Sequence, residues 1–226
     1  MVVMAIVDVL RRGVFEPGDV LPPERDLAVE LNVSRKTVRE AIELLRRHDV
    51  VSVRRGSGGG TVINELGGVS AALATVAPED PANLRALLEV RRALETSAAL
   101  LLIGRVTDDD AAALRHLAAA FQDLVGQPGE FVEAELRFHY RLVALSGNTV
   151  CADLLRSVLD RISVIREERP YASVPQLVAL RNQQAIAAAV ERRSAKHLLQ
   201  ALEEDLSALE AVLVGEALTP TAPTGS

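Results

Sequence analysis

The sequence predicts a mainly α-helical protein, in which a small amino-terminal domain with one β-hairpin precedes a larger helical bundle. Aromatic residues make up only 3% of the 226 residues while alanine and leucine are abundant, and this composition favours helices over a β-sandwich. Residues 50–63 contain two short β-branched runs around a glycine-rich turn, the pattern of a hairpin. From residue 69 onwards apolar residues recur at helical spacing and no strand pattern is found.

The amino-terminal domain, residues 1–63, is expected to hold three helices followed by the hairpin. The first helix is indicated by apolar residues at helical spacing: Ile6, Val9 and Leu10. Pro22 and Pro23 set an extended entry to the second helix, which opens with Glu24 near its positive end. Asn32 tolerates the left-handed conformation that ends a helix, and Ser34 is placed to cap the third. The arrangement is therefore helix, tight turn, helix.

The third predicted helix opens on side chains suited to phosphates and base edges: Arg35, Lys36, Thr37 and Arg39. Although the chain carries a net charge of −6, residues 34–55 contain 7 basic and 3 acidic residues. A local basic face on an acidic protein is typical of a DNA reader joined to a separate regulatory domain. A helix-turn-helix presents itself to the major groove in this way, and the hairpin would then be a wing. Taken alone, Ser34 is also explained as a structural cap.

Three segments resemble the winged helix-turn-helix of the GntR family of bacterial transcription regulators: PGDVLPPERDLA at residues 17–28, Val33-Ser34-Arg35, and Val38-Arg39-Glu40-Ala41. The resemblance covers residues 1–63. With Lys36 added from the exposed helix start, it implies a DNA-contacting set of Arg25, Ser34, Arg35, Lys36, Thr37, Arg39 and Gly58. The chain departs from the family pattern at Asp49, where a glycine is usual after the third helix.

Beyond a linker at residues 64–68, a helical domain is expected over residues 69–213, followed by a disordered tail at 214–226 that is rich in Pro, Thr and Gly. Breaks at glycine and proline divide the domain into helices near residues 69–76, 81–103, 108–124, 129–146, 148–168, 174–192 and 194–213. Thr107 before three aspartates is expected to cap one of them.

Two pairs within these helices carry possible chemistry. Arg91 lies four residues before Glu95, which fits either an intrahelical salt bridge or a buried arginine that clamps a carboxylate ligand. Glu135 and His139 lie one turn apart on one helix face and could supply two metal ligands, but a surface or core histidine fits the pair better. For Arg91, spacing alone favours the intrahelical salt bridge.

The runs Leu88-Glu89-Val90-Arg91, Phe138-His139 and Ser146-Gly147-Asn148 resemble the all-helical effector domain of the FadR-like branch of that family, the FCD domain, over about residues 69–213. Many members hold a divalent metal through one Asp and three His, and the metal helps to bind a small organic acid. The resemblance implies metal ligands Glu135, His139 and Asp205, with Gln183 and Asp205 at two histidine positions, and effector-binding residues Arg91, Asn148 and Gln183. This altered set would prefer a harder ion such as manganese or magnesium, and metal-free effector binding is an alternative.

The sequence therefore predicts a cytoplasmic homodimeric transcription regulator, more specifically a repressor of a pseudo-palindromic DNA operator, controlled by a small carboxylate-bearing effector. The lone Cys151 cannot form an internal disulfide, Met1–Leu10 lacks the basic start of a signal peptide, and no apolar run approaches the length of a membrane span. The alternatives are a metal-dependent enzyme on a helical bundle and an effector-independent DNA-binding protein. The enzyme is disfavoured because no nucleophile–base pair is found and Gly56–Gly60 lacks the lysine and context of a phosphate-binding loop.

Overall fold

The computed structural model describes residues 2–56, 59–167 and 173–215. Within these ranges the chain forms α1 (Val2–Arg11), α2 (Glu24–Glu30), α3 (Arg35–Arg47), β1 (Val51–Arg54), β2 (Gly60–Ile63), α4 (Val69–Val76), α5 (Leu84–Leu102), α6 (Asp108–Leu124), α7 (Pro128–Ala144), α8 (Thr149–Glu167), α9 (Ser173–Glu191) and α10 (Ala195–Gly215). The predicted fold class is confirmed, and most predicted helix ends fall within a few residues of the observed ones. α10 extends two residues into the predicted tail, and residues 216–226 lie outside the described part of the chain.

The amino-terminal domain packs α1, α2 and α3 around one apolar core, into which Leu10, Val38 and Leu45 are fully buried. β1 and β2 pair in antiparallel register, with Val51 opposite Ile63. The hairpin thus stands beside the helices as the predicted wing.

The turn between α2 and α3 is formed as the sequence predicts. Asn32 has a φ of 51°, in the left-handed region, and the Ser34 Oγ accepts a hydrogen bond from the backbone N–H of Thr37 at 3.1 Å. Asp49, which follows α3, has a φ of 58°. That left-handed conformation favours glycine, so it accounts physically for the glycine that the family resemblance implies there.

α4 joins the two halves of the molecule. Its buried Val69, Ala72 and Leu73 belong to the same apolar cluster as the core of the amino-terminal domain, and α4 also packs against α8. The amino-terminal core therefore continues beyond the boundary at residue 63 that the sequence suggested. The carboxylate of Glu130 on α7 accepts hydrogen bonds from the N–H groups of Leu66 and Gly67, which fixes the linker to the bundle.

Helices α5 to α10 form the bundle around two apolar clusters. One contains three phenylalanines packed edge to face, with Phe121 at 5.2 Å from Phe131 and 6.1 Å from Phe138 between ring centroids. The predicted cap of α6 is a full capping box between Thr107 and Asp110. Among the described residues, no helix is both long and apolar enough to cross a membrane.

Candidate functional site

The start of α3 presents a polar, exposed surface. Lys36 is 86% exposed at its side chain, and Arg35 is exposed without a hydrogen bond or salt bridge to the described part of the chain. Arg39 donates to both carboxylate oxygens of Glu24 on α2, from Nη2 to Oε2 at 2.9 Å and from Nε to Oε1 at 3.3 Å. Arg25 is 77% exposed and pairs with its neighbour Asp26 at 3.0 Å. Helices α2 and α3 thus place the side chains of Arg25, Lys36 and Arg39 on the solvent-exposed surface of the amino-terminal domain.

Three of the other predicted DNA contacts either have structural roles or lie outside the described residues. The Ser34 Oγ is engaged with both the N–H and the hydroxyl of Thr37, so Ser34 and Thr37 together cap α3. Gly58 lies outside the described residues. The sequence-based set omitted Arg54 and Arg55, which are exposed where the wing turns. Two consecutive arginines before a glycine-rich turn would have been the signal for them.

At the centre of the bundle, the structure brings together four side chains from four helices around Arg91. Arg91 is 1% exposed. Its Nε donates to Glu95 Oε1 at 2.9 Å, and its Nη2 lies 2.9 Å from His139 Nε2 and 3.3 Å from Asp205 Oδ2. Gln183 Nε2 lies 3.2 Å from both His139 Nε2 and Asp205 Oδ1. We call these five residues the Arg91 cluster.

Both interpretations of Arg91 from the sequence have a counterpart in this geometry. The intrahelical salt bridge with Glu95 is present, and the arginine is buried among polar groups from other helices. Gln183 and Asp205 reach His139, as the resemblance implied. Asn148 does not share this position, because it is exposed and its Oδ1 accepts from the Cys151 N–H at the start of α8.

Glu135, the third expected metal ligand, sits beside the cluster. Its Oε2 accepts from Arg166 Nη2 at 2.9 Å, and both side chains are at most 2% exposed. Ligand atoms of Glu135, His139 and Asp205 all lie within 4.8 Å of one another, so their separation alone would allow an ion. The sequence did not point to Arg166, which lies 31 residues from Glu135 along the chain.

Burial and opposite charges shift the ionisable groups of the cluster. Burial raises the pKa of Glu95, but the charges of Arg91 and His139 outweigh burial and lower that pKa to about 2. Burial and Arg91 lower the pKa of His139, but Glu95 and Asp205 outweigh both and raise it to about 9. A charged ring pairs with Glu95 through Nδ1 at 3.0 Å and with Asp205 through Nε2 at 3.3 Å. A neutral ring accepts at Nε2 from Arg91, so neither form leaves a free lone pair at Nε2.

A second buried arginine, missed in the sequence, lies where α1 meets the bundle. Arg11 donates to both carboxylate oxygens of Glu133, at 2.7 and 2.8 Å, and to Asp160 Oδ1 at 2.5 Å. Its Nη2 also lies 3.4 Å from Ser70 Oγ and 3.3 Å from Ser163 Oγ. We call these residues the Arg11 junction. It ties the amino-terminal domain to α4, α7 and α8.

The fold and these sites define a class of protein: a winged helix-turn-helix reader joined to an all-helical sensor domain. Residues 1–61 match the family of bacterial regulatory proteins described as the gntR family, and residues 86–208 match the FCD domain. The chain belongs to the gntR family and carries an FCD domain. It is a transcription regulator and not an enzyme.

Named relatives agree with this membership. The chain is 25% identical over 218 residues to the HTH-type transcriptional repressor NanR of Cronobacter sakazakii, covering 92% of this chain and 82% of that protein. It is 32% identical over 177 residues to the uncharacterized HTH-type transcriptional regulator YcbG of Bacillus subtilis, covering 75% and 71%. The solved structure of McbR/YncC from E. coli shares the fold with a TM-score of 0.60, at 19% identity and 96% coverage of both chains.

Proposed function

We propose that the protein is a homodimeric, cytoplasmic DNA-binding repressor whose operator affinity is controlled by a small carboxylate-bearing effector in the helical bundle. The observation that carries the DNA-binding part is the start of α3, where Arg35 and Lys36 reach solvent on a correctly formed helix-turn-helix. Repression is proposed because a relative that matches most of the chain is named a repressor.

Exposed apolar residues on α5 and α8 support the proposed homodimer. An uncharged stripe of exposed residues runs along α5: Ala86, Val90, Ala93, Ser97 and Leu101. Neighbouring α8 adds Val150 and Leu154, which are 67% and 55% exposed. Because exposed apolar patches of this kind mark interaction surfaces, we propose that α5 and α8 pair with their copies about a two-fold axis. The two winged helix-turn-helix domains of the dimer would then face the two half-sites of a pseudo-palindrome.

The Arg91 cluster is the proposed effector position. A carboxylate is bound strongly by a guanidinium, and more so where water is excluded. The Arg91–Asp205 contact, at 3.3 Å, is longer than the Arg91–Glu95 contact at 2.9 Å. A ligand carboxylate would therefore displace Asp205 while Glu95 holds the arginine in place. Moving Asp205, on α10, would shift the bundle and change the distance between the two DNA-binding domains of the dimer.

DNA binding is best tested by substituting Arg35. Arg39 is a less clean probe, because its loss would also break the link to Glu24. The operator would first be selected from random duplexes with the wild-type protein, and binding then measured by fluorescence anisotropy. Arg35→Ala should weaken binding by about ten-fold or more, since a good arginine–base contact is worth about 1–3 kcal/mol. Arg115→Ala, an exposed arginine on α6 that lies outside both the helix-turn-helix and the proposed dimer surface, is the matched control and should bind normally.

The same titration tests the other parts of the proposal. Two chains should bind each operator, and wild-type affinity should fall steeply with salt because arginine and lysine displace counterions from DNA. An Arg35→Ala protein that is folded and binds as tightly as wild type would remove this helix from the interface. A library of small organic acids, screened by thermal shift, tests the effector. Silence of the whole library would favour an effector-independent DNA-binding protein.

A further inference from the structure

We infer that the guanidinium of Arg91 takes the place of a divalent metal ion in this bundle, so that the protein works without a metal. The inference deepens the proposed effector site and rests on it only for where the effector would bind. Its test, the metal content of the protein, does not depend on DNA binding.

The first observation is the position of the arginine. A metal ion bound by His139 must lie about 2.0–2.1 Å from Nε2, along the single in-plane lone pair of that nitrogen. Hydrogen-bond donors approach a ring nitrogen along the same direction. Arg91 Nη2 and Gln183 Nε2 lie 2.9 and 3.2 Å from this atom. The space in which the ion would bind to His139 is therefore filled by two donor groups.

The second observation is that the carboxylates are already engaged. Asp205 faces Gln183 with Oδ1 and Arg91 with Oδ2, at 3.2 and 3.3 Å. Glu135 Oε2 accepts from Arg166. Each of the three residues whose separation would suit an ion thus faces a guanidinium or amide donor, and a metal would have to displace them.

Burial prevents Arg91 from moving aside to admit an ion. Its side chain is 1% exposed, and Glu95, also 1% exposed, holds its Nε at 2.9 Å. A guanidinium pulled from buried carboxylates without a new partner would cost far more than an exposed salt bridge. Glu95 therefore fixes the cation in the centre of the bundle.

The charge balance of the buried groups also opposes binding of an ion. Three buried carboxylates, Glu95, Glu135 and Asp205, surround two guanidiniums, Arg91 and Arg166. With His139 neutral, as a metal ligand must be, their sum is one negative charge, and an added divalent ion would leave an uncompensated positive charge in the core. Removing Arg91 alone leaves two negative charges, which one divalent ion matches. The protein without Arg91 should consequently become a metal binder.

The experiment compares wild-type protein with Arg91→Met, both tag-free, after incubation with Mn²⁺ or Zn²⁺ and removal of free ion by desalting. Bound metal is measured by elemental analysis and folding by circular dichroism. Arg91→Met should retain about one ion per chain, the stoichiometry of a single site, and its melting temperature should rise on adding the ion. Wild type should retain none and melt at the same temperature with ion or with EDTA.

Two controls separate position from charge. Arg166→Met loses the same charge outside the position of Arg91 Nη2 and should stay metal-free. Arg91→Met with His139→Ala loses a ligand and should lose the ion. Stoichiometric metal in wild type overturns the inference, as does a folded Arg91→Met that binds none, or equal binding by Arg166→Met. If Arg91→Met does not fold, Arg91→Gln replaces it. If neither variant folds, the wild-type protein is the test. A melting temperature that is the same with ion and with EDTA supports the inference, and a difference between the two overturns it.

Discussion

The two buried arginines of this chain differ in what holds them. Arg11 binds Glu133 through two short hydrogen bonds and Asp160 through a third, and each partner carboxylate serves the domain junction. Arg91 has one short bond to a carboxylate, from Glu95, and otherwise meets His139 and Asp205, which are themselves bound by Gln183. One arginine is saturated by strong acceptors, whereas the other shares its acceptors with a neighbour.

This difference indicates that Arg11 has a structural role. A partner of Arg91, by contrast, can be displaced by a ligand at a lower cost in free energy. Displacing Glu133 from Arg11 would forfeit a bidentate charge-assisted pair in a water-free place. Displacing Asp205 from Arg91 forfeits one contact at 3.3 Å. The Arg11 junction therefore suits a permanent connection between domains, and the Arg91 cluster suits reversible recognition.

The largest effect is expected from removing Arg11. Arg11→Met leaves the buried Glu133 without its cation, and breaking a buried pair in this way typically costs about 3–5 kcal/mol of unfolding free energy. Chemical denaturation of the variant should show this loss. Arg12→Met is the matched control, because Arg12, just after α1, is 48% exposed and pairs with Asp8 of α1, so its loss should cost little. Equal stability of the two variants would contradict the structural role of Arg11.

An intermediate loss of unfolding free energy is expected when a carboxylate partner of either arginine is replaced by its isosteric amide. Glu133→Gln weakens two short contacts with Arg11, whereas Asp205→Asn weakens two longer contacts at 3.3 Å, with Arg91 and with His139. We expect losses of about 2–3 kcal/mol and about 1 kcal/mol respectively, in line with hydrogen bonds to charged groups. Urea denaturation at pH 7 measures both. The reverse ranking would show that the Arg91 cluster is the more tightly held of the two.

The smallest effect on stability is expected at the salt bridge between Glu79 and Arg161, which lies nearer the surface than the two buried arginines. Hydrogen bonds from Arg161 and Asn83 lower the pKa of Glu79 to about 2, from an ordinary value of 4.5. Because the folded pKa is the lower one, the stabilisation is complete above pH 4.5 and is lost as the pH falls toward 2. Glu79→Gln should cost up to about 1 kcal/mol at pH 7, a range typical of such pairs.

The pH dependence supplies the check on that pair. The stability difference between wild type and Glu79→Gln should be constant near neutral pH and should narrow as the pH falls below 4.5. A difference that stays constant down to pH 3 would mean that the glutamate acts through packing and not through its charge.

Local sequence patterns made the helix-turn-helix of the amino-terminal domain predictable. Ser34, Asn32 and the two prolines before α2 each act on neighbouring backbone, so their effect can be inferred without knowing the rest of the fold. The helices of the bundle followed from periodicity and breaks for the same reason. The family pattern, and not spacing, indicated that Gln183 and Asp205 would meet His139.

The Arg11 junction could not be inferred, because its partners lie 122 and 149 residues away in sequence. No periodicity links α1 to particular residues of α7 and α8. The same limit applied to Arg91, for which spacing offered only the contact with Glu95. That its Nη2 would reach His139 depended on how three further helices pack.

Helix α7 has a consequence for the speed of signalling. It carries Glu130 against the linker, Glu133 against Arg11, and Glu135 and His139 toward the centre of the bundle. These residues span about 14 Å of one continuous helix at 1.5 Å per residue. A shift of this helix would be felt at all three places together without any segment unfolding. The switch would thus operate on the microsecond-to-millisecond timescale of packed helices sliding and not on that of refolding.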